Sequence, residues 1–167
     1  MNKIYTGIGS RNTPIEILNL MTKIATELSN RGYLLRSGGA DGADLAFEKG
    51  SDNKEIYLPW INFNNNDSPL YLPFSIKECN EKAVELAKKF HPKWDNLSFG
   101  AKKMMIRNSH QLFGWKMDIE SDFVIAWTKD GKDTGGTGQA LRIAKYYDIK
   151  IYNLFNDNDI KQLKKLK

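Results

Sequence analysis

One pattern constrains this chain more than any other: short apolar, β-branched runs closed by glycine alternate with segments whose apolar residues recur at helical spacing. Lys3 to Ile8, bounded by Gly7 and Gly9, reads as a buried strand ending in a tight turn. Thr13-Pro14-Ile15-Glu16 then offers an N-cap threonine, a proline at the first helical position and a glutamate placed for a capping box. Ile17, Met21, Ile24 and Leu28 continue along one helix face until Asn30-Arg31-Gly32 stops it. Tyr33 to Arg36 predicts a second strand, Ser37 to Gly42 a glycine-rich turn, Ala43 to Lys49 a second helix and Glu55 to Leu58 a third strand. Trp60 to Phe74, with three consecutive asparagines, two prolines and four aromatic residues, fits a long surface loop. Helices over Ile76 to Phe90 and Phe99 to Phe113 follow, separated by His91-Pro92-Lys93-Trp94. Asp122 to Trp127 is a nearly continuous apolar strand, followed by another glycine-rich turn, a helix from about Gly138 to Tyr147, a strand from Ile149 to Asn153 and a short Lys-rich helix. Strands alternating with helices imply parallel pairing through right-handed crossovers. The expected fold is therefore α/β, a Rossmann-like three-layer sandwich with a mostly parallel five-stranded sheet, built as one domain over residues 1–167 with a long loop at about 60–75.

The bulk properties narrow the setting. The 167 residues carry 25 Lys and Arg against 20 Asp and Glu, a net charge of +5, which suits anionic partners as well as an ordinary solvated surface. A chain of this length buries enough surface to fold without a metal or disulfide, and Cys79 alone forms no internal bridge. No apolar run approaches a membrane span and the N-terminus has no signal-peptide core, so a reducing cytoplasm is expected, with no membrane partner. His91, His110 and Cys79 show no metal-ligand spacing, and neither a metal nor a cofactor is expected.

In a doubly wound sheet, ligands bind at the carboxyl ends of the strands. Three glycine-rich turns fall there: Gly7-Ile8-Gly9-Ser10-Arg11, Ser37-Gly38-Gly39-Ala40-Asp41-Gly42, and Gly131 to Gly138. Glycine lets backbone approach a ligand, and the free N–H groups and dipole of the next helix favour a phosphate. The candidate binding residues are Gly9, Ser10, Arg11, Ser37, Gly38, Gly39, Asp41, Arg107, Asn108, Thr128, Gly135, Gly136, Thr137, Gly138 and Gln139. Arg11 and Arg107 are suited to gripping a phosphate through two N–H groups or to surface ion pairs, and the hydroxyls of Ser37 and Thr137 to the same phosphate or to local turn bonds. Trp60, Phe63, Tyr71, Trp94 and Trp127 are candidates for base stacking or for core packing. GIGSRN lacks the third glycine of GxGxxG, Arg36 rather than an acid ends the second strand, and no GxxxxGK[ST] occurs, which disfavours NAD(P) redox chemistry and P-loop NTP hydrolysis.

Gly9-Ser10-Arg11 followed by Ser37-Gly38-Gly39-Ala40-Asp41-Gly42-Ala43-Asp44 resembles the Rossmann core of the DNA-processing DprA (Smf) family, whose pattern is GSR then SGGARGID. Met104-Met105-Ile106-Arg107-Asn108, Ser121 to Trp127 and Gly135-Gly136-Thr137-Gly138 are similar to the Lonely Guy (LOG) nucleotide phosphoribohydrolases, which carry an Arg-Lys pair on a helix and a PGGxGTxxE turn. Both belong to the SLOG superfamily, and the resemblance covers most of the chain outside Trp60 to Phe99.

Departures from the LOG pattern bear on catalysis. That family cleaves the N-glycosidic bond with the final glutamate of its motif and the helix arginine. Here Arg107 matches the arginine, but Asn108 replaces lysine, Gln139 replaces threonine and Arg142 occupies the glutamate position. A guanidinium that stays protonated cannot act as a general acid. The catalytic candidates are then Arg107 with a carboxylate from elsewhere, Asp41, Asp44, Glu48 or Asp118, although Asp41 and Asp44 most simply cap the second helix at its N-terminus. The leading expectation is a protein that binds a nucleotide or ADP-ribose-like ligand by its phosphates, as sensor, sequestering protein or carrier. The alternatives are a LOG-type N-glycosidic hydrolase or transferase and a DprA-like single-strand nucleic-acid binder. The last is disfavoured because the sequence has no room for an accessory winged-helix domain and shows no ladder of basic and aromatic residues. The Lys-rich tail adds weak attraction to nucleic acid, and the resemblance implies a homodimer through helices beside the sheet.

Overall fold

The computed structural model describes residues 3–166. Five strands, β1 (Ile4–Gly9), β2 (Leu34–Ser37), β3 (Lys54–Ile56), β4 (Phe123–Trp127) and β5 (Lys150–Asn153), alternate with six helices, α1 (Ile15–Asn30), α2 (Ala43–Gly50), α3 (Glu81–Lys89), α4 (Phe99–Phe113), α5 (Gly135–Tyr146) and α6 (Asp157–Leu163). Every strand pair is parallel and the order is β3-β2-β1-β4-β5, so the expected Rossmann-like α/β sandwich forms with a wholly parallel sheet.

Such a sheet must be covered on both faces, and the strand sequences supply two apolar sides. Along β4, Phe123, Ile125 and Trp127 enter one core with Tyr5, Leu35, α1 and α2, while Val124 and Ala126 enter the opposite core with Ile8, α3, α4 and α5. The chain leaves β1 through α1 to β2 on one side and returns from β3 through α3 and α4 to β4 on the other, with these helices on opposite faces, so the carboxyl ends of β1 and β4 become the point where strand order reverses. Gly9 and Trp127 are paired at that end.

Several elements differ from the sequence expectation for local reasons. Thr13 does not cap α1: Pro14 is the N-cap, and the Thr13 hydroxyl instead donates to the Ser10 carbonyl at 2.6 Å. The third strand stops at Ile56, and Leu58 continues only as a parallel bridge to Tyr71. The helix expected over 76–90 is divided into a 3-10 turn at Ile76–Glu78 and α3, whose N-terminus Asn80 caps by accepting from Ala83 N–H at 3.3 Å. The fifth helix starts at Gly135 rather than Gly138, so Gly135, Gly136 and Gly138 of the last turn form its first turn, while Gly131 stays outside it. No helix among the described residues is long and apolar enough to cross a membrane.

Candidate functional site

A cleft of about 490 Å³ opens at the carboxyl ends of β1 and β4. Its walls come from the β1–α1 turn, the start of α2, the cleft-facing side of α4 and the first turn of α5. That volume is within the usual range for small-molecule sites. Gly9, Ser10, Arg11, Asp44, Arg107, Asn108, Thr128, Gly135, Gly136 and Thr137 all line it, although they come from distant parts of the chain.

Each wall has a local cause. After Gly9, Ser10 N–H donates to the Trp127 carbonyl at 3.2 Å, and its hydroxyl accepts from Asn12 N–H at 3.1 Å, turning the chain sharply and leaving Arg11 exposed at the rim. Gly42 faces this turn at φ +79°, and a Cβ there would stand 2.7 Å from the carbonyl oxygens of Ser10 and Arg11. Only glycine joins a left-handed backbone to so close an approach. On α5 the N-cap Thr134 makes no side-chain hydrogen bond and the first turn holds no acidic residue, so the first N–H groups of this helix keep their capacity for an anion. Asn108 fixes that turn from α4, its amide donating to the Gly136 carbonyl and to Gln139 Oε1, each at 3.1 Å.

At the back of the cleft Arg107 and Asp44 form an ion pair with Nη1 to Oδ2 at 3.2 Å, their side chains only 5% and 6% exposed. Asp44 also accepts from Ala40 N–H at 3.3 Å. Burial pushes the Asp44 carboxyl above its ordinary range against the pull of Arg107, and it weakens the hold of Arg107 on its proton against the pull of Asp44, with Arg11 adding repulsion. The guanidinium occupies the space where a Gly38 side chain would stand: a Cβ there would overlap Nη1 and lie 2.5 Å from Gln111 Nε2. Arg107 Nε and Gln111 Nε2 are buried and lack hydrogen-bond partners. Such donors are costly unless something accepts from them. The charged lining consists of Arg11, Arg107 and Lys129 against Asp44, a cationic excess of two.

Other residues singled out in the sequence stand outside the cleft lining. Ser37 donates its hydroxyl to the Gly7 carbonyl at 2.7 Å inside the sheet. Gly38 backs Arg107, and Gly39 and Asp41 are held by Asn64, whose amide donates to the Gly39 carbonyl at 3.1 Å and to Asp41 Oδ1 at 3.0 Å. Gly138 packs on Asp133, and Gln139 is buried between Asn108 and the Ala87 carbonyl. Among the catalytic candidates, Glu48 accepts from Asn66 at 3.1 Å on both oxygens, and Asp118 is exposed in the segment that leads into β4, at the opposite end of the sheet. Arg142 turns away as well: Nε and Nη2 donate to the Phe90 carbonyl at 3.1 and 2.9 Å, and Nη1 donates to the Asp133 carbonyl at 3.0 Å. Trp127 is core, Trp94 and Phe63 are half-buried, and no aromatic residue lines the cleft. Among the described residues no His, Cys, Asp and Glu cluster is arranged to hold a metal.

Sequence reasoning missed Gln111 and the apolar floor of Met104 and Met105. A signal was present: Met104 and Gln111 lie three residues before and four after Arg107, on the same face of α4.

No protein-family model matches the chain, and no curated protein matches it. A solved structure of DNA processing protein A from Helicobacter pylori, described for its single-stranded DNA binding mode, is similar over 97% of this chain and 71% of that one, with a TM-score of 0.54 and 18% sequence identity. The likeness establishes a shared Rossmann-like fold.

Proposed function

We propose that this chain binds a nucleotide unit by its phosphate in the β1/β4 cleft and holds it without cleaving it. The observation that carries this reading is the convergence of Arg11, Arg107 and Lys129 against the single carboxylate Asp44 in the lining of one cleft, a cationic excess of two. The uncapped first turn of α5 supplies further donors across the same space. Retention rather than hydrolysis follows from the carboxylates. Asp44 alone among Asp and Glu lines the cleft, and it is committed to Arg107 and Ala40. Arg142, at the position of the LOG glutamate, serves as a strut between α5, Phe90 and Asp133.

A second reading, in which the bound nucleotide belongs to a single strand of DNA, is favoured by the likeness to DNA processing protein A. That comparison supports polynucleotide binding better than it supports a free nucleotide. The lysines that follow α6, Lys164 and Lys165, add positive charge outside the cleft.

Isothermal titration against a panel of nucleoside mono- and diphosphates, ADP-ribose and a short oligothymidylate tests both readings, with Gly136→Asp as the matched variant. The Asp carboxylate would stand in the phosphate cradle, and the space beside it is limited by Met105, whose Cε lies 3.3 Å from a Cβ built at Gly136. The expected outcome is loss of every interaction shown by the parent, with an unchanged circular dichroism spectrum. Unaltered affinity in the variant would refute the cradle. Release of free base from AMP, CMP, GMP or NAD, followed by chromatography, would overturn retention in favour of hydrolysis.

A further inference from the structure

Arg107 holds two acceptors of unequal strength. Its Nη1 donates to the Asp44 carboxylate at 3.2 Å, whereas Nη2 donates to the thioether of Met104, with Sδ 3.7 Å away. A thioether is a weak acceptor, so the Nη2 group keeps most of its capacity for a phosphate oxygen. Met104 precedes Arg107 by three residues on α4, on the same face, and lines the cleft beside it.

The position of this sulfur also sets it apart among the methionines. Met21, Met105 and Met117 are 0%, 8% and 2% exposed, while Met104 is half-buried. Among the described residues it is therefore the methionine most open to a small oxidant, and the cleft of about 490 Å³ has room for one. Oxidation turns a flexible apolar side chain into a polar, chiral one. At Met104 the added oxygen is bonded to the atom that already faces the guanidinium. In the epimer whose oxygen points toward Nη2, the acceptor comes one bond nearer and forms a strong N–H···O bond to a cation.

We propose that Met104 is an oxidation site through which a peroxide controls anion binding in the cleft. This rests on the phosphate-binding reading of the cleft and adds its regulation. Sulfur gives a lone pair to one oxygen of hydrogen peroxide, and the S–O bond forms as the O–O bond breaks. The departing hydroxide takes the proton from the transferred oxygen, leaving sulfoxide and water, so sulfur loses the two electrons that the peroxide gains. The sulfoxide oxygen then occupies the Nη2 donor and presents a negative dipole end to the incoming phosphate.

The test uses the full chain, with inorganic pyrophosphate as the calorimetric probe before and after hydrogen peroxide. Peptide mass spectrometry should show oxidation of Met104 ahead of Met21, Met105 and Met117. Pyrophosphate affinity should fall about 10- to 150-fold, the range for loss of one hydrogen bond to a charged group. Methionine sulfoxide reductases, one for each epimer, should restore it. In Met104→Leu the affinity before and after peroxide should be equal, whatever its starting value, while Met105→Leu should lose affinity as the parent does. Oxidation at Met104 with unchanged pyrophosphate affinity overturns the proposal and leaves the cleft reading standing. An equal loss in Met104→Leu also overturns it, by assigning the effect to another residue such as Cys79, as does a loss that the reductases leave in place. A parent that binds no pyrophosphate before oxidation overturns both the proposal and the cleft reading.

Discussion

Replacing Arg107 by methionine keeps most of the side-chain volume and removes the charge that faces Asp44. The two side chains are 5% and 6% exposed and 3.2 Å apart, so the substitution leaves a carboxylate buried with only Ala40 N–H as a donor. Breaking a buried ion pair from one side costs about 3–5 kcal/mol. For a chain of this size each kcal/mol lowers the melting temperature by about 2–4 °C, so the variant should melt about 6–20 °C below the parent near neutral pH. Its pH dependence identifies the cause. In the parent, burial already raises the Asp44 carboxyl above its ordinary value of 3.8. Loss of Arg107 removes the strongest opposing influence and raises it further. A carboxyl that titrates higher in the folded than in the unfolded state takes up its proton first in the folded state as pH falls. The stability it contributes is full below 3.8 and is lost as pH rises through the folded value. The defect of the variant relative to the parent should therefore shrink steadily from pH 7 toward pH 4. The double variant Arg107→Met with Asp44→Asn should recover most of the loss at neutral pH. Differential scanning fluorimetry of parent, single and double variants across that pH range provides the measurement. A loss below about 1 kcal/mol, the value of an exposed ion pair, would refute the buried-pair argument, as would a defect independent of pH.

Gly38→Ala should displace the guanidinium that now fills the space beside Gly38, weakening nucleotide binding and costing about 1–3 kcal/mol, and unchanged calorimetry and melting together would refute the close packing. Arg142→Glu should lower stability by about 1–3 kcal/mol through its lost hydrogen bonds to the carbonyls of Phe90 and Asp133, and chromatography should detect no base release, since this side chain points away from the cleft. Mononucleotide binding should weaken only slightly as salt rises, whereas an oligothymidylate should lose affinity with a log–log slope of about −0.7 for each phosphate contacted. Equal slopes in a titration series would show that both ligands meet the same number of cations.

The order of elements was readable in the sequence because it depends on short-range chemistry. A strand buried on both faces must be apolar throughout, as Phe123 to Trp127 are, and the helical face of Ile17 to Leu28 announces itself by spacing. The three glycine-rich turns were equally visible, and the Rossmann-like topology follows from the strand–helix alternation once right-handed crossovers are imposed. What remained hidden depends on contacts between segments far apart in the chain. The hydroxyl of Thr13 chooses the Ser10 carbonyl over a helix cap, and Gly135 to Thr137 join α5 instead of forming a loop before it. Each choice is decided by which backbone groups the folded chain brings nearby. Asp44 could be read equally as a cap, an acid or an ion-pair partner, because its role is set by Arg107, sixty-three residues away. Arg142 matches a catalytic position in register yet turns to Phe90 and Asp133, and Lys103 is buried because its ammonium reaches the carbonyls of Pro73 and Phe74, about thirty residues away. Residue type and spacing determine which elements form and where the glycines stand. Side-chain direction, burial and pairing are set by packing between those elements, so tertiary structure alone decided which residues face the cleft.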